Sequence, residues 1–214
     1  MEKLIWLVPT LPLAGFVVIT LVGRRLPRLW VGLVACGSVG IAFALSLGLF
    51  FHLVNLAPHL RHLRQELFTW IAVGDLQVSA GFLLDPLSTV MILVVSGVGS
   101  VIHLYSVGYM GEDRDYARYF AYLNLFVFFM LLLVLADNYL LLFVGWEGVG
   151  LCSYLLIGFW FERPSATAAA QKAFIVNRVG DAGFLLGLFL IWTTFGSLQY
   201  GEVFAQAEGL HGAL

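Results

Sequence analysis

The sequence predicts an all-α integral membrane protein with about six transmembrane helices. Its 214 residues are 61% hydrophobic and 11% charged, and the mean hydropathy is +0.94. A soluble domain carries roughly 25% charged residues, so eleven Lys and Arg with thirteen Asp and Glu cannot cover a soluble surface. The apolar residues also form long runs between short polar turns, and about 20 such residues cross a bilayer as a helix.

The apolar runs define six spans within a single membrane domain, residues 1–214. The run from Ile5 to Val22 is longer than the roughly 7–15 residues of a signal-peptide core, and Arg24 and Arg25 follow it directly. We therefore expect this run to be retained as the first span. The predicted spans are residues 4–23, 30–54, 86–109, 118–136, 138–161 and 166–195.

Local signals mark the turns between spans. Asp85 and Pro86 favour a helix start, because aspartate caps a helix N-terminus and proline suits its first turn. Asp137 and Asn138 indicate a tight turn between the fourth and fifth spans. Residues 67–84, after the second span, are too short to cross a membrane and surround Gly74-Asp75, a turn dipeptide. We expect a short surface hairpin there.

The distribution of Lys and Arg indicates an orientation, because cytoplasmic loops are enriched in these residues. With the N-terminus outside, inside loops hold six of them and outside segments hold three. The inside residues are Arg24, Arg25, Arg28, Arg114, Arg118 and Arg163, and the outside residues are Lys3, Arg61 and Arg64. The prediction is an outside N-terminus.

Several functional classes are disfavoured. A net charge of −2 leaves no basic patch for a nucleic acid. Cys36 and Cys152 lack C-x-x-C or Cys–His spacing, so no metal site is predicted. His52 and His103 differ in depth by about 20 Å, too far apart to ligate one haem. The glycines of 145–150 do not follow a strand, so they suit close helix packing better than a nucleotide loop.

Glu147 is the most informative single residue. It lies about nine residues into the fifth span, roughly 13 Å deep at the helical rise. A charge at mid-bilayer costs about 2.5–3.5 kcal/mol, so such residues face protein or water and have a partner. Burial and a nearby cation move the pKa of a carboxylate in opposite directions, and a carboxylate between them can exchange a proton. The alternative is a structural, protonated glutamate bonded to backbone.

The sixth span carries three ionisable residues. Arg178 and Asp181 are three residues apart and can pair on one helix face, as proton-handling groups or as a neutral structural pair. Lys172 lies one turn inside the boundary, where a lysine can also reach water by extending its side chain. Helical rotation places Asp181 about 180° from Lys172. We hypothesise that one of them faces a helix of this chain and the other an adjacent subunit.

His103 is the ionisable residue of the third span. Histidine titrates near neutrality, so His103 is a candidate for proton relay. The alternative is a polar side chain bonded to another helix.

Five segments together resemble one family. GWEGVGL at 145–151 and KAFIVNRVGD at 172–181 resemble the fifth and sixth helices of the L subunit of NADH:quinone oxidoreductase, respiratory complex I, called subunit 5 in mitochondria. FLLD at 82–85, IHLYSVGYM at 102–110 and YFAYLN at 119–124 also resemble it. The resemblance runs over nearly the whole chain.

This resemblance implies a role in proton translocation. The family is antiporter-like, and Glu147 falls on its channel glutamate, which pairs with a lysine on a later, broken helix. Lys172, Arg178 and Asp181 fall on polar positions of the sixth helix, some near the neighbouring antiporter-like subunit. The chain is then an oxidoreductase subunit in a bacterial plasma membrane. No cofactor is expected in it, since flavin, iron–sulfur clusters and quinone belong to other subunits.

The chain departs from the family in length, because L subunits are far longer. We therefore interpret it as the N-terminal part of such a subunit, with the partner lysine beyond residue 214, and expect that it cannot pump alone. Two alternatives stay open. One is the large subunit of a multi-subunit sodium/proton antiporter or a membrane-bound hydrogenase. The other is an inactive, truncated membrane scaffold.

Overall fold

The structure, a computed structural model, describes residues 2–74 and 76–210 as a helical bundle with one β-hairpin. Short 3-10 turns cover Glu2–Leu4 and Pro58–Leu60. The other elements are α1 Leu7–Val22, α2 Arg28–Val54, β1 Leu63–Val73, β2 Leu76–Leu84, α3 Pro86–Tyr109, α4 Tyr116–Leu135, α5 Tyr139–Ile157, α6 Pro164–Phe195 and α7 Tyr200–Leu210.

The long helices match the predicted spans closely. Five of them, α2 to α6, are long and apolar enough to cross a membrane. The first helix is shorter than its predicted span of 4–23, because Glu2–Leu4 forms a separate 3-10 turn and α1 has 16 residues. Hydropathy does not distinguish the apolar residues Leu4, Ile5 and Trp6, which precede α1, from residues of the helix itself, which explains the difference.

The fifth span also differs at its end. Residues 138–161 were expected to be helical, but α5 ends at Ile157 and Gly158 caps it. The aromatic residues that follow are apolar, yet Phe159 packs against the first turn of α4: the Arg118 guanidinium carbon lies 4.7 Å from the centroid of the Phe159 ring. Their hydropathy reflects this packing rather than a longer helix.

Helix α4 is the centre of the bundle. It packs against α1, α2, α3 and α5, while α6 packs against α5 and α7. Two apolar clusters form along it, one around Leu131 and Leu135 near the hairpin and one around Phe120 at the opposite end. All three side chains are fully buried. Burial of apolar surface against α4 therefore holds α1, α2, α3 and α5 together.

The start of α3 follows the predicted cap. The Asp85 carboxylate accepts a hydrogen bond from the Ser88 backbone N–H at 2.7 Å, and the Ser88 hydroxyl accepts from the Asp85 N–H at 2.8 Å. This reciprocal capping box satisfies two otherwise unpaired donors of the first turn. Pro86 occupies the first helical position, where its missing N–H costs nothing.

The predicted hairpin is present and begins earlier than residue 67. Strands β1 and β2 pair antiparallel from Leu63 opposite Leu84 to Val73 opposite Leu76. Gly74 adopts a left-handed φ of +56° that favours glycine. Asp75, the other residue of the predicted turn, lies outside the described residues.

Polar contacts attach the hairpin to the helix ends. The Arg64 guanidinium donates to the Asp137 carboxylate at 2.9 Å and to the Gln199 side-chain oxygen at 2.6 Å. The Asn138 amide donates to the Ser79 backbone oxygen at 2.8 Å. The Asp137 side chain is 2% exposed, so Arg64 supplies the countercharge that this buried carboxylate needs. The hairpin thus closes over the α4–α5 turn and the α6–α7 loop.

Candidate functional site

Glycines let α5 approach α4 closely. A Cβ built at Gly145 would lie 2.6 Å from the Leu133 Cα, and one at Gly148 would overlap the Phe129 ring. Real Cβ atoms do not approach backbone this closely, so a side chain at either position would push the helices apart. Gly145 and Gly148 therefore serve the close packing of α5 on α4, as predicted, whereas Gly150 has room for a side chain.

One guanidinium contacts two carboxylates between α5 and α6. Arg178 Nη1 on α6 contacts Glu147 Oε2 on α5, and Arg178 Nη2 lies 2.8 Å from Asp181 Oδ2. The side chains of Glu147, Arg178 and Asp181 are 26%, 36% and 5% exposed. The structure thus brings together three of the five predicted site residues. Two carboxylates compete for one cation, and the cluster carries one excess negative charge when all three are ionised.

Trp146 completes this cluster. Its indole Nε1 donates to Asp181 Oδ1 at 2.8 Å. The sequence reasoning did not single out Trp146, although an indole N–H within a span needs an acceptor, and that signal was available. Because Trp146 precedes Glu147 directly, consecutive residues of α5 contact the two ends of the Arg178–Asp181 pair.

Two polar atoms of the cluster have no hydrogen-bond partner among the described residues. They are Arg178 Nε and Asp181 Oδ2, both buried. Asp181 Oδ2 lies 2.8 Å from Arg178 Nη2, but this ion-pair contact lacks hydrogen-bond geometry. A buried polar atom without a partner is costly. The cluster therefore has unused hydrogen-bonding capacity that water or another side chain could occupy.

A cavity of about 320 Å³ lies beside the cluster, between α4, α5 and α6. Arg178, Asp181, Asn177 and Ser153 contribute its polar groups, and the rest of its wall is mainly apolar. A water occupies about 30 Å³ in the liquid, so the cavity has room for several waters. Arg178 and Asp181, the ionisable groups of α6 in the cluster, thus border a space large enough for water, whereas Glu147 does not line it.

Lys172 does not join the cluster. It lies on α6 with an exposed side chain and forms no ion pair with any described residue. Asp181, by contrast, is buried against α5. The two residues face opposite sides of α6, in agreement with the predicted helical rotation.

His103 lies apart from the cluster, on α3 where that helix packs against α2 and α4. It is fully buried, and its Nδ1 lies 2.8 Å from the Gly99 backbone oxygen. Its Nε2 has no hydrogen-bond partner among the residues that the structure describes. The predicted site residues therefore lie in three places: His103 among the first helices, the ion cluster between α5 and α6, and Lys172 on the exposed side of α6.

Within residues 2–74 and 76–210, no three His, Cys, Asp or Glu side chains are grouped so that they could hold a metal ion. Cys152 is buried and Cys36 is partly buried, and both are free thiols. The chemistry of the described site is therefore that of carboxylates, a guanidinium and an indole.

Comparison with known proteins assigns the family. The family model described as NADH-Ubiquinone oxidoreductase (complex I), chain 5 N-terminus matches residues 70–120, and the model described as NADH:quinone oxidoreductase/Mrp antiporter, TM matches residues 136–213. Over these residues the chain is similar to the antiporter-like subunits of complex I and of Mrp antiporters. The predicted resemblance is confirmed, as is the all-α, multi-pass membrane fold.

Relatives of this antiporter-like family match most of the chain. It is 54% identical over 200 residues to NADH-quinone oxidoreductase subunit L of Mycobacterium tuberculosis, covering 94% of this chain and 31% of the relative. It is 42% identical over 209 residues to subunit L of Neisseria meningitidis, covering 97% and 31%. It is 46% identical over 198 residues to NADH-ubiquinone oxidoreductase chain 5 of Rhizopus stolonifer, covering 92% and 30%.

A solved structure shares the same helical arrangement. The Mrp complex from Dietzia superposes with a TM-score of 0.76 at 26% identity, covering 93% of this chain and 20% of that one. The chain spans about a third of the length of the curated relatives it matches. The matched residues of this chain therefore have the antiporter-like fold.

Proposed function

We propose that this chain is part of an antiporter-like subunit that translocates protons in an NADH:quinone oxidoreductase, with Glu147, Arg178 and Asp181 as a proton-transfer site. The observation that carries the proposal is the sharing of one Arg178 guanidinium between Glu147 and Asp181, beside a cavity large enough for water. Ionisable residues at this depth in a span generally mark ion or proton paths. The relatives named subunit L and chain 5 support the type of complex.

The shared arginine suggests how a proton could move. When Glu147 is ionised, its contact with Arg178 satisfies both charges. Protonation of Glu147 removes that attraction, and Arg178 then interacts more strongly with Asp181, already 2.8 Å away. Release of the proton restores the first arrangement. Uptake of a proton at Glu147 therefore changes the charge balance at Asp181 without a large movement.

The remaining predicted residues have separate proposed roles. Lys172 faces away from the cluster, a position suited to a neighbouring antiporter-like subunit or to a later helix of a family-length protein. His103 is a buried imidazole with one unpartnered nitrogen, and we assign it a relay role through α3. Histidine can accept and donate a proton near neutral pH.

The proposed setting is a bacterial plasma membrane with the N-terminus outside. The bias of Lys and Arg toward one set of loops supports this orientation. The partners are other membrane subunits of the complex and the lipid bilayer. Flavin, iron–sulfur clusters and the quinone site are assigned to those other subunits, so this chain contributes proton movement to the oxidoreductase and no redox centre.

A Glu147→Gln variant in the assembled complex with a family-length subunit tests the proposal. Glutamine keeps the size of the side chain but cannot ionise, so protons transported per electron should fall while assembly is retained. Glu162→Gln is the matched control, because Glu162 forms an exposed ion pair with Arg114 and should leave the ratio unchanged. An unchanged ratio in Glu147→Gln would refute a proton-transfer role for this residue.

Sodium/proton antiport is the second candidate function, favoured by the likeness to the Mrp complex. The two candidates differ in the ion that moves. Sodium uptake into vesicles driven by a proton gradient, and lost in Glu147→Gln, would replace the oxidoreductase assignment. Proton transport that needs NADH oxidation and is independent of sodium would retain it.

A further inference from the structure

An apolar groove of about 380 Å³ lies between α2 and α3. Its wall consists of side chains that also face the surrounding lipid: Leu29 and Leu104 are each 70% exposed. Gly32 lets the Tyr116 side chain pack closely beside the groove, since a Cβ there would lie 3.0 Å from the Tyr116 hydroxyl oxygen. The apolar lining comprises Leu29, Gly32, Leu33, Cys36, Leu104 and Val107.

A basic cavity of about 310 Å³ adjoins the end of this groove. Arg28 and Tyr116 line both spaces, so the two lie side by side. The cavity lies where α1 ends and where α2 and α4 begin. The charged side chains that line it are Arg24, Arg28, Arg114, Arg118 and Asp115.

The positive charge of the cavity is only partly compensated. Arg118 pairs with Asp115 at 2.9 Å, and Arg114 pairs with Glu162 at 2.9 Å. Arg28 donates to the backbone oxygens of Gly111 and Asp113, which carry no net charge. Arg24 is exposed and forms no hydrogen bond or ion pair among the described residues. Arg24 and Arg28 therefore leave about two charges available for an anion.

We propose that the basic cavity and the adjoining groove bind one anionic phospholipid. Its phosphate lies at Arg24 and Arg28, and an acyl chain lies in the groove between α2 and α3. Guanidinium groups bind phosphate through charge-assisted hydrogen bonds, and basic pockets between membrane helices are suited to lipid head groups. A soluble phosphate could occupy the cavity but would leave the groove unfilled. A partner helix could cover the groove but would not need the arginines. Only an anionic amphiphile uses both features.

The test measures lipid retention on the full chain in detergent by native mass spectrometry, with phosphatidylglycerol and phosphatidylcholine as the probes. Phosphatidylglycerol should be retained preferentially. One arginine near an anionic surface is worth about a fivefold change in binding, so Arg24→Gln should lower phosphatidylglycerol retention by about that factor. Arg163→Gln removes an exposed arginine that stacks on Trp160 outside the cavity and should leave retention unchanged.

A second pair of variants tests the groove independently. Leu33 lines the groove and is 54% exposed, while Ile41, two turns further along α2, is 55% exposed and lies outside it. Leu33→Trp should fill the groove and lower retention of both lipids, and Ile41→Trp should have no effect. Equal retention of the two lipids, equal effects of the two tryptophans, or full displacement of the lipid by inorganic phosphate would overturn the proposal.

Discussion

The first four helices and the α5–α6 pair differ in how many residues they bury and in where their ionisable side chains lie. Helix α4 buries nine of its 20 residues, including Phe120 and Leu131, and no ion pair lies within that packing. Helix α6 buries three of its 32 residues, and one of these is the ionisable Asp181. Close packing excludes water and fixes side chains, whereas a charge that is to change its protonation state needs water or a mobile partner. Among the described residues, the charged cluster therefore involves the long helix with the fewest buried positions.

Polar groups in the two regions differ accordingly. Between α2 and α4 the Ser38 hydroxyl donates to the Asn124 side-chain oxygen at 2.7 Å, a neutral and satisfied contact. At the α5–α6 contact, Arg178 Nε and Asp181 Oδ2 lack hydrogen-bond partners among the described residues. His103 is the exception in the first region, because its Nε2 is also without a partner there. Its position inside the better-packed region makes it the less adaptable of the two candidate sites.

The largest expected effect is that of Arg178→Leu, which leaves Glu147 and Asp181 without their shared cation. Removing one partner of a fully buried pair costs about 3–5 kcal/mol. Arg178 is 36% exposed, so solvent screening reduces the expected loss of unfolding free energy to about 2–3 kcal/mol. The measurement is unfolding in mixed micelles of lipid and denaturing detergent.

Lys172→Leu is the control for this substitution, because Lys172 is exposed on the same helix and should change stability by less than about 0.5 kcal/mol. Adding Glu147→Leu to Arg178→Leu should recover part of the loss, since it removes one of the unpaired carboxylates. Equal losses for Arg178→Leu and Lys172→Leu would show that the cluster does not differ energetically from the exposed face.

The next effect concerns the attachment of α5 to the packed helices. Gly145→Ala places a Cβ 2.6 Å from the Leu133 Cα, and backbone cannot move aside cheaply. Overpacking of this kind costs about 1–3 kcal/mol. Gly150→Ala is the matched control on the same helix, because its Cβ would lie 3.5 Å from Arg178 Nη2, an ordinary contact. If both variants unfold at the same detergent fraction as the parent, the close approach of α4 and α5 is not a source of stability.

The smallest effect is a pH dependence at the loop between α3 and α4. Partial burial alone would raise the pKa of Asp113, but the hydrogen bonds from the Asp115 backbone and the Trp160 indole, with Arg118 and Arg114 nearby, lower it below its ordinary 3.8. Because the folded pKa is the lower one, this group stabilises the fold above pH 3.8, and the contribution is lost as pH falls through the folded value.

Thermal unfolding of the parent chain and of Asp113→Asn between pH 5 and pH 3 measures this contribution, with the range set by the ordinary pKa of 3.8. The parent should lose more stability than the variant over the interval, by a small amount because the loop is near solvent. A parent curve that runs parallel to the variant curve would contradict the assignment.

Much of the fold was predictable because its signals are local. The capping of α3 needs only Asp85, Pro86 and Ser88, all within four positions. The helical spans follow from hydropathy, and the hairpin follows from the turn at Gly74. The pairing of Arg178 with Asp181 follows from their separation of three residues and is present at 2.8 Å.

The contacts between elements were not predictable in this way. Whether Glu147 meets Arg178, and whether Trp146 meets Asp181, depends on the rotation of α5 relative to α6, which neither helix specifies alone. The sequence marked Glu147 as costly in lipid but not its partner. Asp137 was predicted only as a turn residue, because Arg64 lies 73 residues away in the chain. Long-range pairing of this kind requires the tertiary structure.

That separation also determines an order of events during biosynthesis. Arg64 emerges from the ribosome 73 residues before Asp137 and 135 residues before Gln199, its two side-chain acceptors. The hairpin therefore cannot complete its attachments until α6 has been synthesised. Until then the hairpin lacks the contacts of Arg64 with Asp137 and Gln199, and their formation closes the end of the bundle at which the hairpin lies.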